Sequence, residues 1–221
     1  MVFLHYDIIN IMSYPIKVIT LKAVDLFTEK LSPQDEAKFD ASIKAIRLGK
    51  HEVVYIKLLK GALKELIIKR FRFIFFINKN TVYFISAFIK KTNKTPKMEL
   101  ENAEKIYKII TKKLNIMKKS LKNRKVINIK GLEFYDFDDI LKENLKSETF
   151  REAYNEELAR LNLVGEIKKL RLQKKYTQKD LAQKAQMPQS VIARIESGEH
   201  SFSLGTLSRI AKVFKKEIQL V

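Results

Sequence analysis

The chain has 221 residues, 46% of them apolar, which suits one or two packed domains and excludes a disordered chain. Lys and Arg total 44 against 25 Asp and Glu, a formal charge of +19 that favours polyanions such as nucleic acid or anionic lipid over an acidic substrate. With no cysteine, and with His5, His51 and His200 at no metal-ligand spacing, disulfide frameworks, metal sites and cofactor chemistry are not expected.

The opening stretch Met1 to Ser13 has no early cation and no long apolar core, so it does not read as an export signal. Tyr14 to Val18 predicts a short strand. Helical spacing follows around Lys22 to Lys30 and over Pro33 to Arg47, where Ser32 is the expected N-cap and Pro33 the first helical residue. Val53 to Leu59, Glu65 to Ile77 and Thr81 to Ile89 are rich in Val, Ile, Phe and Tyr and predict an antiparallel meander, turning at Asn78-Lys79-Asn80. Arg72 and that turn interrupt the most apolar stretch, so no membrane span is expected and a cytoplasmic protein is. Thr95-Pro96 reads as the opening of a helix carrying Leu100, Ala103, Ile106, Tyr107, Ile110 and Leu114 at helical spacing. The expected fold class is α+β: helices packed on a small antiparallel sheet, followed by an all-α domain.

Charge divides the chain further. Residues 1–131 hold 28 basic and 11 acidic residues, net +17; residues 132–160 hold 4 and 9, net −5; residues 161–221 hold 12 and 5, net +7. The expected organisation is a first domain over 13–114, a basic linker plus acidic helical segment over 115–160, and a second domain over 161–221.

The run from Thr177 to Ala211 has the punctuation of a helix-turn-helix. Thr177 and Asp180 form a capping-box variant, and Leu181, Ala182 and Ala185 make an inner face. Gln186-Met187-Pro188 is the turn. Val191, Ile192 and Ile195 line the next helix, which Gly198 closes. The segment resembles the Xre/Cro-type helix-turn-helix family in Thr177-Gln178, Leu181-Ala182, Ser190 to Ile195 and Glu196 to Gly198. The resemblance implies that the helix from Gln189 to Ser197 enters the major groove of operator DNA. Gln189, Ser190 and Arg194 would reach base edges and Gln178 a phosphate.

In the first domain, Lys60-Gly61, Glu65-Leu66, Phe71-Arg72-Phe73 and Phe88 to Pro96 resemble the HigB branch of the RelE toxin superfamily. That resemblance covers residues 14 to 114. It implies an endoribonuclease that cuts mRNA, commonly on the ribosome, by attack of a ribose 2′-hydroxyl on the adjacent phosphate. Such chemistry needs a base, an acid and cations that stabilise the phosphate charge. Arg72 is the first candidate, because a guanidinium forks onto phosphate oxygens. Lys60, Arg70, Lys90 and Lys91 are the supporting catalytic candidates. Ile67 stands where the pattern has Arg, and Ser86 where many relatives have His.

HigB-like toxins pair with HigA-like antitoxins, and the region from Met117 onward resembles one. The chain therefore reads as toxin and antitoxin fused, with the acidic segment covering the cationic face of the first domain in cis, and with a homodimer on a palindromic operator. A transcriptional repressor whose toxin-like domain has lost catalysis is the other reading.

Overall fold

A computed structural model describes residues 17–90, 96–116, 126–198 and 202–218. Strand β1 (Lys17–Leu21) leads directly into α1 (Lys22–Thr28), and α2 (Pro33–Arg47) begins where expected, with Ser32 Oγ accepting the Asp35 N–H at 3.2 Å. A 3-10 turn, His51–Val53, precedes β2 (Ile56–Leu58), β3 (Lys64–Ile68), β4 (Phe71–Asn78) and β5 (Thr81–Ile89). The single run expected from Glu65 to Ile77 is thus two strands, folded at Lys69-Arg70. Lys69 takes a left-handed φ of 50° there, without glycine or proline to announce the turn. Helix α3 (Lys97–Ile116) follows; Thr95, its expected cap, and Tyr14 to Ile16 lie outside the described residues.

The basic linker and acidic helix expected over 115–160 are organised differently. Val126–Ile129 (β6) and Leu132–Asp136 (β7) form a hairpin across Lys130-Gly131, whose φ values of 49° and 82° are those of a two-residue type I′ turn. The Gly131 N–H also donates to Asn128 Oδ1 at 3.0 Å. The lysines around this hairpin give it the composition of a linker, yet Ile129 and Phe134 are buried. Helices α4 (Phe137–Asn144) and α5 (Glu148–Gln173) carry the helical part. Helix α5 runs unbroken through Arg160-Leu161, and its buried residues Phe150, Tyr154, Glu157, Leu161 and Val164 recur at three- and four-residue steps.

The seven strands among the described residues form one sheet in the order β2-β3-β4-β5-β1-β7-β6. It is mixed rather than antiparallel. The meander β2 to β5 is antiparallel as expected, but β1 lies parallel to β5, with Ile19 opposite Tyr83, and antiparallel to β7, with Leu21 opposite Phe134. Phe27 of α1 and Phe39 of α2 pack on Phe73, the Phe39 ring stacked at 4.2 Å, whereas Tyr107 of α3 meets Phe76 edge-on at 4.9 Å. Phe73 and Phe76 point to opposite faces of β4, so α1 and α2 cover one face and α3 the other. Helix α5 packs on α2, outside the sheet. The chain closes with α6 (Gln178–Lys184), α7 (Gln189–Glu196) and α8 (Leu204–Val213), so the fold is α+β with an all-helical carboxyl-terminal region.

Candidate nucleic-acid interface

The turn between α6 and α7 is set by local chemistry. The Asp180 N–H donates to Thr177 Oγ1 at 3.1 Å, and the Thr177 N–H donates to Asp180 Oδ2 at 2.8 Å, the reciprocal pair of a capping box. The Thr177 N–H and, at 2.7 Å, the Thr177 hydroxyl both donate to Asp180 Oδ2 and hold that carboxyl below its ordinary pKa. Gln186 reverses the chain with φ 53°, and the Met187 N–H closes on Ala182 O at 3.0 Å. Pro188 occupies the N-cap position of α7 with extended backbone and no side-chain capping hydrogen bond.

Ile192 and Ile195 are buried beneath α7, while Gln189, Ser190 and Arg194 are exposed on its outer side. Gln178 is half-buried, and its Nε2 donates to Glu196 Oε2 at 3.0 Å. Glu196 also accepts from Arg171 at 2.6 Å (Nε to Oε1) and 2.9 Å (Nη2 to Oε2), and Arg171 Nη1 donates to Tyr176 O at 2.7 Å. Arg171 and Glu196 form a buried, bidentate brace between α5 and α7 that the sequence reading does not assign. The signal was a glutamate amid the buried positions of α7, which requires a cation partner.

The first-domain candidates do not converge on one site. Arg70, Arg72 and Lys90 gather at one end of β4 and β5, where the Lys90 N–H donates to Arg70 O at 2.8 Å. Arg70 is exposed and lies against the Phe71 ring, with 5.4 Å between guanidinium carbon and ring centroid. Arg72 is committed elsewhere: its Nη1 donates to Lys69 O at 2.7 Å and Phe71 O at 2.8 Å, and its Nε lies 4.0 Å from the buried Glu65 carboxylate. Lys60 stands past the other end of β3, paired with Glu104 of α3 at 2.8 Å. Lys91 lies outside the described residues.

The two departures from the toxin pattern do converge on Arg72. Ile67 is its direct partner across β3, and Ser86 pairs with Ile74, two residues along β4 on the same face. A bulge puts Ser86 there: Phe75 pairs with Phe84 but Ile74 with Ser86, leaving Ile85 as the extra residue. Ser86 Oγ then donates to Glu99 Oε2 of α3 at 3.1 Å.

The acidic segment meets the first domain, though not at these cations. Glu133 pairs with Lys22 at 2.8 Å, Asp136 with Lys17 at 3.0 Å, Glu157 with Lys38 at 3.7 Å, and Asp138 with Arg47. The α2–α5 packing carries most of it to the side of the sheet opposite Arg72. Beside it, a cavity of about 740 Å³ opens between α1, β7 and α4. Its wall carries six carboxylates, Asp25, Glu29, Glu36, Asp136, Asp139 and Glu143, against Lys22, Lys142 and Lys146, so acidic side chains outnumber basic ones there. Burial pushes the Asp25 carboxyl up to about 6. Asp40 is buried and raised well above its ordinary value by burial; Asn144 Nδ2 donates to it at 3.3 Å and to Glu36 at 3.0 Å.

Residues 167–221 match the helix-turn-helix family model, and residues 27–108 match the family described as phage derived protein Gp49-like. No curated protein and no solved structure is matched by the chain. A Gp49-like domain is therefore joined in one chain to a helix-turn-helix DNA-binding domain. Among the described residues no helix is long and apolar enough to cross a membrane.

Proposed function

We propose that this protein is a DNA-binding transcriptional regulator of the fused toxin–antitoxin type, acting on operator DNA in the cytoplasm as a homodimer. The observation that carries this reading is α7: its inner face is held by the Arg171–Glu196 brace while Gln189, Ser190 and Arg194 stand exposed together. A bidentate Arg–guanine or Gln–adenine contact contributes about 1–3 kcal/mol of discrimination. Gln178, released from Glu196, would meet a flanking phosphate.

The RelE/HigB-like domain acts in this reading as a non-cleaving partner of the DNA-binding domain. Arg72 is engaged by backbone carbonyls, and Ile67 and Ser86 supply neither a cation nor an imidazole beside it. One observation favours a second reading, an mRNA endoribonuclease: Arg70 is exposed and adjoins Lys90 at the open end of the sheet, where an RNA phosphate could displace the carbonyl bonds of Arg72.

The full chain tests both. Selection from a random duplex library is expected to return a palindromic sequence, with Arg194→Ala relaxing preference at one position and leaving the salt slope nearly unchanged. Selection without a consensus refutes operator recognition. Messenger RNA on ribosomes is expected to stay intact; cleavage that Arg70→Ala/Arg72→Ala abolishes would establish the second reading.

A further inference from the structure

We propose that the 3-10 turn His51–Val53 of the first domain is a positioning element for the DNA-reading helix, so that operator affinity is set by both domains. The inference rests on the operator-binding reading above and adds a dependence that a helix-turn-helix alone does not have.

The turn enters the second domain at two glycines. Gly198, immediately after α7 and its C-cap Ser197, has φ 70°, and a Cβ placed there would lie 2.4 Å from Val53 O. Gly165 lies inside α5, where glycine is a poor choice for helix stability; a Cβ there would come within 3.2 Å of Val53 Cγ1. Nothing in the helix-turn-helix itself calls for glycine at 165, whereas the approach of Val53 does. Val53 is 1% exposed. Polar contacts flank it: Lys168 Nζ donates to Glu52 O at 2.9 Å and Lys50 Nζ to Asn162 Oδ1 at 3.3 Å.

Residues 50–53 therefore grip α5 at positions 162, 165 and 168 and abut the carboxyl end of α7 at 198. The opposite end of α7, bearing Gln189 and Ser190, is the end that meets DNA. Hydrogen bonds to base edges fail over shifts of about an ångström, so an anchor at one end of this eight-residue helix governs contacts at the other. Linkage makes the effect reciprocal: operator binding must stabilise the docked turn.

The test uses the full chain and the duplex that the wild-type chain selects. Gly198→Asn keeps a residue type that tolerates positive φ but adds a Cβ against Val53 O. Gly131→Asn, at φ 82° in open space, is its control. Gly165→Ala is made with and without Val53→Ala, a pair in which alanine favours the helix, so that loss of folding does not decide the result. Gly198→Asn and Gly165→Ala are expected to weaken operator binding at least tenfold with helical content unchanged. Val53→Ala should restore most of the Gly165→Ala loss, and Gly131→Asn should bind like wild type. Operator should also slow hydrogen exchange at the Val53 and Val54 amides in the wild-type chain but not in Gly198→Asn. Operator affinity within twofold of wild type in both glycine variants, despite faster exchange at Val53, would make the contact purely structural and overturn the proposal. A wild-type chain that selects no duplex refutes operator recognition itself, a different outcome from selection that the glycine variants leave intact.

Discussion

Replacing Arg171 by Met removes the guanidinium from a carboxylate that has almost no access to water. The Glu196 side chain is 1% exposed and that of Arg171 10%. Glu196 would lose two charge-assisted hydrogen bonds, at 2.6 and 2.9 Å, and keep the single neutral donor from Gln178. Charged hydrogen bonds contribute about 1.5–3 kcal/mol each, and a buried pair broken on one side typically costs about 3–5 kcal/mol, so Arg171→Met should cost about 3–5 kcal/mol. Removing both charges in Arg171→Met/Glu196→Leu should cost less than either single change. The assay is urea unfolding followed by hydrogen exchange at the buried Leu181 and Ile195, which isolates the helix-turn-helix from the sheet. A cost below about 1 kcal/mol for Arg171→Met, or a double variant equal to the sum of the singles, would refute the brace.

Asp25 gives the fold a pH dependence. An acid raised from 3.8 to about 6 on folding contributes stability in full below pH 3.8 and loses it as pH rises through 6. Two pKa units set an upper bound of about 3 kcal/mol, and partial exposure leaves on the order of 1–2, so Asp25→Asn should stabilise the protein at pH 7.5 and flatten its urea midpoint between pH 4 and 7. An unchanged slope would place the penalty elsewhere. Phe134 is fully buried in the hairpin and 6.4 Å from the Tyr83 ring centroid, so Phe134→Ala should cost about 3–5 kcal/mol of first-domain stability by denaturant titration. A loss near zero would return this segment to the status of a linker. Arg72→Met removes the donors that close the Lys69-Arg70 turn and should cost about 1–3 kcal/mol; full stability would mean that Arg72 is free for a ligand.

Several elements were legible because their information is local. Ser32-Pro33, the apolar period of α2, the Thr177–Asp180 capping box and the exposed trio Gln189, Ser190 and Arg194 each depend on residues a few positions apart, as helix caps and faces do. The β6–β7 hairpin was not legible, since its lysines conceal a short alternating pattern and nothing nearby tells which strand it joins. The same distance hid Glu196 from Arg171 and Gly198 from Val53.

By itself the amino-acid order determined an α+β chain with a helix-turn-helix at its carboxyl end, because turns and amphipathic faces follow from neighbouring side chains. Tertiary structure alone decided that β1 is flanked by β5 and β7, that the acidic segment lies against α2 rather than over Arg72, and that Arg72 is held by carbonyls. Those outcomes turn on which surfaces are buried together and which charges share one space. Such choices are made between residues tens of positions apart, where sequence spacing carries no distance.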